Sequence, residues 1–292
     1  MFSPTGKRKI FFTISAILII LSIVLLFVKG LNLGIDFKGG STLQFDIGQK
    51  YTPEIEKKIS NIVKEEANVK SVTVQQIDKK VVSIKTEELS NEKSDAVIEA
   101  IKKEFNLEQK ALLANDKVSG TMSGRLLGDS IKATFLAIIL MLIYITFRFD
   151  FKSGTSAVLA LAHDVIIMLG FYSLFGFTVN TSFIAAILTI VGYSINATII
   201  VFDRIRENQR QMKKNSSYDE ITDDAIKASY FRTINSSLTT LFTIGVLYIM
   251  GVDSIREFAL PIIVGIIAGA YSSLYIAGPF WAWWKGDNKK KA

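Results

Sequence analysis

The sequence predicts a membrane α-helical protein with six transmembrane helices and one extracytoplasmic α+β domain inserted between the first and second. Three observations predict it. Six long apolar runs interrupt the 292 residues, 49% of which are hydrophobic. One polar stretch, 29–129, separates the first run from the other five. That stretch holds sixteen basic and sixteen acidic residues, so the whole formal excess of +7 lies in the apolar runs and their flanks. Charge placed there carries topology information, whereas a nucleic-acid surface would want it in the folded polar domain. The expected surroundings are therefore a lipid bilayer and no nucleic acid. The chain has no cysteine, which excludes disulfides, thiolate metal sites and a cysteine nucleophile.

Lys7, Arg8 and Lys9 end a short N-terminus, 1–9, and precede the first run, 10–28. At about 1.5 Å per residue this run crosses roughly 30 Å of hydrocarbon. It is too long for a signal-peptide core and no small-x-small cleavage site follows it, so a retained first helix is expected.

In the polar domain Leu43, Phe45 and Ile47 alternate with polar neighbours, as do Val72 and Val74, then Val82 and Ile84. Period two marks half-buried strands. Ile55, Ile59, Ile62 and Val63 recur at helical spacing behind Thr52 and Pro53, and Val97, Ile98, Ile101 and Phe105 do so behind Ser90. Ser, Thr and Pro at these positions start helices. With a further strand near 111–118 the order is β-α-β-β-α-β, that of a ferredoxin-like unit. Just ahead lies GIDFKGG (34–40), a turn in which glycines permit positive φ and Asp36 bonds neighbouring amides. It lacks phosphate-loop spacing, so no nucleotide is expected there.

The remaining spans are 130–147, 155–175, 181–202, 231–250 and 258–284. Arg148 and Lys152 follow the second span, Arg204, Arg206, Arg210, Lys213 and Lys214 the fourth, and Lys285, Lys289, Lys290 and Lys291 the sixth. The loop near Gly176 has no basic residue and that near Gly251 only Arg256. The positive-inside rule then puts both termini, the loop 203–230 and the basic tail 285–292 in the cytoplasm. Within that loop Asp219, Glu220, Asp223 and Asp224 precede Ile226 and Lys227, which fits either a short surface helix or a solvated connector. Gly265 and Gly269 give the last span a GxxxG spacing for close helix approach. Trp281, Trp283 and Trp284 fit an interfacial aromatic belt.

Polar residues inside the spans are the candidates for chemistry. Asp164 lies near the middle of the third span, where a carboxylate is costly unless it faces a cavity or a partner. It is either a functional group or a structural knot that bonds a neighbouring helix. His163, the one histidine, is about 100° away around the helix and is expected to face a different wall. With no second His and no Cys, a metal site is not expected. Arg232 opens the fifth span as either a snorkelling anchor or a functional cation. Its company, Asn235, Ser236, Ser237, Thr239 and Thr240, gives that helix a polar face unsuited to lipid. The polar side of the fourth span, Tyr193, Ser194, Asn196 and Thr198, is expected to pack against it. No catalytic residue and no cofactor site emerges, because a Ser-containing nucleophile elbow is absent as well.

GIDFKGG (34–40), RFDF (148–151), AHD (162–164), GYSINATIIVFDRIREN (192–208), RTINSSLTT (232–240) and GAYSSLYIAGP (269–279) stand in this order. In that order and topology the chain resembles the SecF family, subunits of the SecDF accessory complex of bacterial protein translocation. The resemblance implies a fold shared with resistance-nodulation-division exporters, partnership with SecD, association with the SecYEG channel, and exported unfolded preproteins as cargo. It implies that ion-motive force moves the external domains, for which Gly34, Asp36, Gly39 and Gly40 on one side and Gly120 and Gly124 on the other are the candidate hinge. Arg232 matches an arginine the family assigns to ion coupling. Many relatives carry Asp directly after the Asn of the fourth span, where this chain has Asn196-Ala197-Thr198. The titrating acid then comes from SecD, or Asp164 takes part beside Arg232 and Asn196, or the subunit is mainly structural. A small-molecule exporter of the same superfamily is the rival reading, and such exporters usually have twice as many spans.

Overall fold

The computed structural model describes residues 3–211 and 216–286. Lys213, Lys214 and the lysines of the tail beyond 286 lie outside the described residues. In chain order the elements begin with α1 (Arg8–Val28), β1 (Asn32–Leu33), α2 (Ile35–Lys38), β2 (Gly40–Asp46) and α3 (Pro53–Ala67). There follow β3 (Val72–Gln76), β4 (Val81–Thr86), α4 (Asn91–Phe105), β5 (Leu112–Val118), α5 (Gly120–Arg148) and α6 (Phe151–Phe175). The chain continues with β6 (Thr178–Val179), α7 (Thr181–Gln211), α8 (Tyr218–Met250) and α9 (Asp253–Ser272), then a π turn (Ser273–Ala277) and α10 (Gly278–Gly286).

Six helical segments are long and apolar enough to cross a membrane: α1, α5, α6, α7, α8, and α9 continued through the π turn into α10. The chain is thus a multi-pass membrane protein. Burial divides the six. In their most apolar windows α6, α7 and the last span are 44%, 50% and 56% buried, against 11%, 6% and 11% for α1, α5 and α8. The first three therefore form the centre of the bundle, and the others present most of their surface outward. Small residues let the centre close. A Cβ on Gly265 would come within 2.5 Å of the Ile190 side chain of α7, and one on Gly170 would fall on Ser22 of α1, so any larger residue would push these helices apart.

Between α1 and α5 the sheet runs β3-β4-β2-β5, every pair antiparallel. One face carries Leu43, Phe45, Val74, Val82 and Ile84 onto Ile59 and Val63 of α3 and Val97 and Ile101 of α4. Local chemistry sets the ends of these helices. Thr52 Oγ1 accepts from the Ile55 amide and Ser90 Oγ from that of Lys93, while Asn68 and Asn106 close the helices in the left-handed conformation, which asparagine tolerates.

Several helices run past the apolar stretches that mark them. α5 starts at Gly120 behind a Ser119 cap, so Gly120 and Gly124 lie in its first turns. α8 starts at Tyr218 with a capping box in which Ser217 and Glu220 bond each other's amides. The acidic stretch is therefore neither a separate helix nor a connector but the first turns of the fifth span, with Ile221, Ala225 and Ile226 buried. Trp281 departs from the expected belt. It is 1% exposed and meets Phe202 and Tyr218 edge-on, while Trp283 is 45% exposed. The π turn ahead of it adds a residue to one helical turn, which rotates every later side chain relative to an unbroken α-helix.

Candidate functional site

Asp164 sits where α6, α7 and α9 meet and is completely buried. Its Oδ2 accepts from Ser194 Oγ of α7 at 2.6 Å and from Ser272 Oγ of α9 at 2.9 Å. Gly269 makes the room: a Cβ there would lie 3.1 Å from Ser194 and 3.4 Å from Asp164 Oδ2. One turn on, Thr198 Oγ1 and Ser273 Oγ share a hydrogen bond of 2.9 Å. Contrary to the helical-wheel expectation, His163 joins the same carboxylate, with Nδ1 2.9 Å from Oδ1. A backbone angle of 100° fixes only the Cβ directions, and two interior side chains can still bend together. The imidazole stacks on Tyr271, whose hydroxyl donates to the Phe11 carbonyl of α1. Asp164 is thus tied to three other spans, α7, α9 and α1.

The second polar group is open. On α8 Arg232, Asn235, Ser236 and Thr239 are exposed, and their spacing of three and four residues makes them one stripe. Thr239 and Thr240 satisfy their hydroxyls on the Ser236 carbonyl at 2.9 Å each. The expected packing of the polar face against the fourth span occurs only at Ser237, and the stripe itself turns outward. Thr233 and Ser237 face inward instead, and Tyr193 OH donates to Ser237 Oγ at 3.4 Å. On α7, Ser194 and Thr198 turn into the bundle, whereas Asn196 points out. Among the described residues the side chains of Arg232, Asn235 and Asn196 make no hydrogen bond. Ala197, beside Asn196, is buried.

The third group joins the polar domain to the bundle. Asp36 does not bond its neighbours; its Oδ2 accepts from the Thr181 amide at 3.0 Å and Oγ1 at 2.7 Å. There a carboxylate satisfies free amides and the positive end of the α7 dipole. Beside it Gly34 N donates to the Val179 carbonyl, and β1 pairs in parallel with β6. Gly39 has φ +83°, and a Cβ there would lie 3.2 Å from the Gly120 amide nitrogen, so the two ends of the domain cross in contact. The edge strand β3 is held too. The Gln76 amide donates to Asp253 at 2.9 Å, and Glu257 accepts from Gln75 and from Asn180 Nδ2 at 2.7 Å, with Lys85 at 3.9 Å. A cavity of about 350 Å³ lies between these contacts. Sequence reasoning missed Asp253 and Glu257. Their one signal was a pair of acids one helical turn apart at the start of the last span.

A family description, protein export membrane protein SecD/SecF, C-terminal, matches residues 97–287, and the SecD/SecF GG motif matches 24–49. The chain belongs to the SecD/SecF family. Membership gives it an accessory role in Sec protein translocation. It is 38% identical to protein translocase subunit SecF of Petrotoga mobilis over 281 residues, covering 94% of this chain and 93% of that one. To the SecF subunit of Helicobacter pylori J99 it is 37% identical, covering 90% and 81%. The crystal structure of SecDF, a translocon-associated membrane protein from Thermus thermophilus, superposes with a TM-score of 0.80 at 35% identity, covering 96% of this chain. This family member spans 38% of that longer chain.

Proposed function

We propose that the chain works beside SecD and uses the ion-motive force to promote late export of unfolded preproteins through SecYEG. The carrying observation is the open stripe. A guanidinium and two carboxamides without partners among the described residues, Arg232, Asn235 and Asn196, lie on spans that lipid would surround, and such groups belong against protein or a water-filled path. SecD is the partner that covers them, and it supplies the carboxylate that Ala197 lacks. Asp164 then orders the helices behind the stripe. In this reading the 29–129 domain is an extracytoplasmic ferredoxin-like unit and the moving element, and the chain performs no chemistry of its own.

The orientation is supported by clustering. Arg8, Arg148, Lys152, Arg206 and Lys285 gather at one end of the bundle, linked by Arg8–Asp219, Lys285–Asp150 and Arg206 to the Arg148 carbonyl, as a cytoplasmic face should. One charge crossing the membrane supplies about 2.3 kcal/mol per 100 mV, enough to bias a two-state equilibrium more than tenfold. The test is preprotein export into vesicles containing SecD with Arg232→Ala or Asp164→Asn. Export that keeps its dependence on membrane potential in both variants would refute the coupling assignment.

A further inference from the structure

Two depressions at the basic end of the bundle share Arg206. One, of about 130 Å³, has Phe149, Phe202 and Trp281 as apolar walls with Asp150, Ser153 and Arg206 among its polar lining. The other, of about 440 Å³, is lined by Arg148, Arg206 and Arg210 together with Asp203 and Glu207. The acids nearby already have cations: Asp150 has Lys285 at 2.7 Å, Asp203 has Arg148 at 3.7 Å and Glu207 has Arg204 at 2.5 Å. Arg206 gives one bond, of 3.1 Å, to the Arg148 carbonyl, and Arg210 makes none among the described residues. Trp281 is 1% exposed, yet its Nε1–H finds no acceptor among the described residues, and a buried indole N–H normally has one. The adjoining end of α5 is outward-facing and apolar, with Phe147 88% exposed.

A cationic rim with spare donors, an inner orphan N–H and an apolar exit toward the bilayer suit an anion carrying acyl chains. We propose that this groove binds the phosphate of an acidic phospholipid of the cytoplasmic leaflet, held by Arg206 and Arg210. Basic pockets between membrane helices at this level are matched to such headgroups, and the planar guanidinium fork grips a phosphate with two parallel bonds. Plain snorkelling explains single exposed arginines, but not two spare guanidiniums that line one depression beside an apolar-walled one. The placement in the cytoplasmic leaflet rests on the orientation proposed above; binding in detergent does not, so failure here leaves the export reading standing.

The delipidated full chain is titrated with phosphatidylglycerol or phosphatidylcholine and bound lipid counted by native mass spectrometry. Phosphatidylglycerol is expected to bind about tenfold more tightly, and Arg206→Gln with Arg210→Gln to abolish the preference. Lys227→Gln removes the same charge from the same end of the bundle outside both depressions and should leave the preference intact; Trp281→Phe should weaken it. Equal binding of the two lipids, or equal loss with Lys227→Gln, overturns the proposal. Displacement of the lipid by an equal concentration of inorganic phosphate also overturns it, because the site would then serve the free anion. Unchanged thermal unfolding of the Arg210→Gln variant separates lost binding from lost fold.

Discussion

The polar groups around Asp164 and around Arg232 lie in the same bundle and have opposite completeness. Asp164 accepts from Ser194 and Ser272, meets His163, and is sealed from solvent. Arg232 and its neighbours Asn235 and Asn196 are exposed and unbonded among the described residues. A closed group contributes to this chain's own stability, whereas an open one inside a membrane waits for a second molecule. Cost alone singles out both sites, but only bonding tells which is finished.

The largest effect expected from this contrast is on stability, at the closed group. Asp164→Leu would leave Ser194, Ser272 and His163 without their common acceptor and should destabilise the folded chain by about 3–5 kcal/mol, read as thermal unfolding in detergent. Asp164→Asn keeps the shape and should cost about half as much. At the open group the pattern inverts. Arg232→Gln should shift stability by less than about 0.5 kcal/mol while weakening co-purification with SecD and reducing potential-driven export about tenfold. If Arg232→Gln unfolds the chain, or Asp164→Leu leaves its melting unchanged, the distinction between closed and open fails.

The junction of domain and bundle gives a third, smaller test. Because the chain has no native cysteine, Gln75→Cys with Glu257→Cys reports on β3 and α9 alone. The native side chains meet at their tips, so a short, reducible bis-thiol crosslinker should bridge the two cysteines in resting membranes, and the locked form should export several-fold less until reductant is added. Full export by the locked form would show that the domain need not leave this position.

Six spans were legible because bilayer thickness fixes the length of an apolar run. Helix ends were not, since a helix can continue into water once a cap satisfies its first amides. Ser217 and Glu220 carried that signal openly, at the spacing of a capping box. Asp164 stood out by its depth, but its acceptor role needed Ser194 and Ser272, 30 and 108 residues away, and no local pattern encodes such distances. The polar face of α8 was visible as composition, and its direction was not, because Ser237 and Ser236 are adjacent and point opposite ways. Asp36 was assigned to its own turn for the same reason: Thr181, which it bonds, is 145 residues later.

The smallest expected effect lies at the basic end, where a charge pair is neither closed nor open. Asp150 caps α6 through the Ser153 amide at 2.7 Å and meets Lys285 at 2.7 Å. Burial alone pushes its carboxyl up, but the Lys285 ammonium and the Ser153 amide outweigh that and hold it below the ordinary aspartate range. A lowered folded value means that the unfolded chain takes up the proton first. The stabilisation is therefore complete above about pH 4 and fades as pH falls through the lowered value. Lys285 also lies 5.1 Å over the Trp281 ring, a contact that does not titrate with Asp150. Lys285→Met should thus lower stability at pH 7 by a few tenths of a kcal/mol, because the pair is partly solvated, and part of that loss should persist at pH 3. Asp150→Asn isolates the titrating part: its difference from the wild type in thermal unfolding should shrink steadily below about pH 4. A difference that stays constant down to pH 3 would mean that the charge on Asp150 does not carry the contribution, because asparagine keeps the cap.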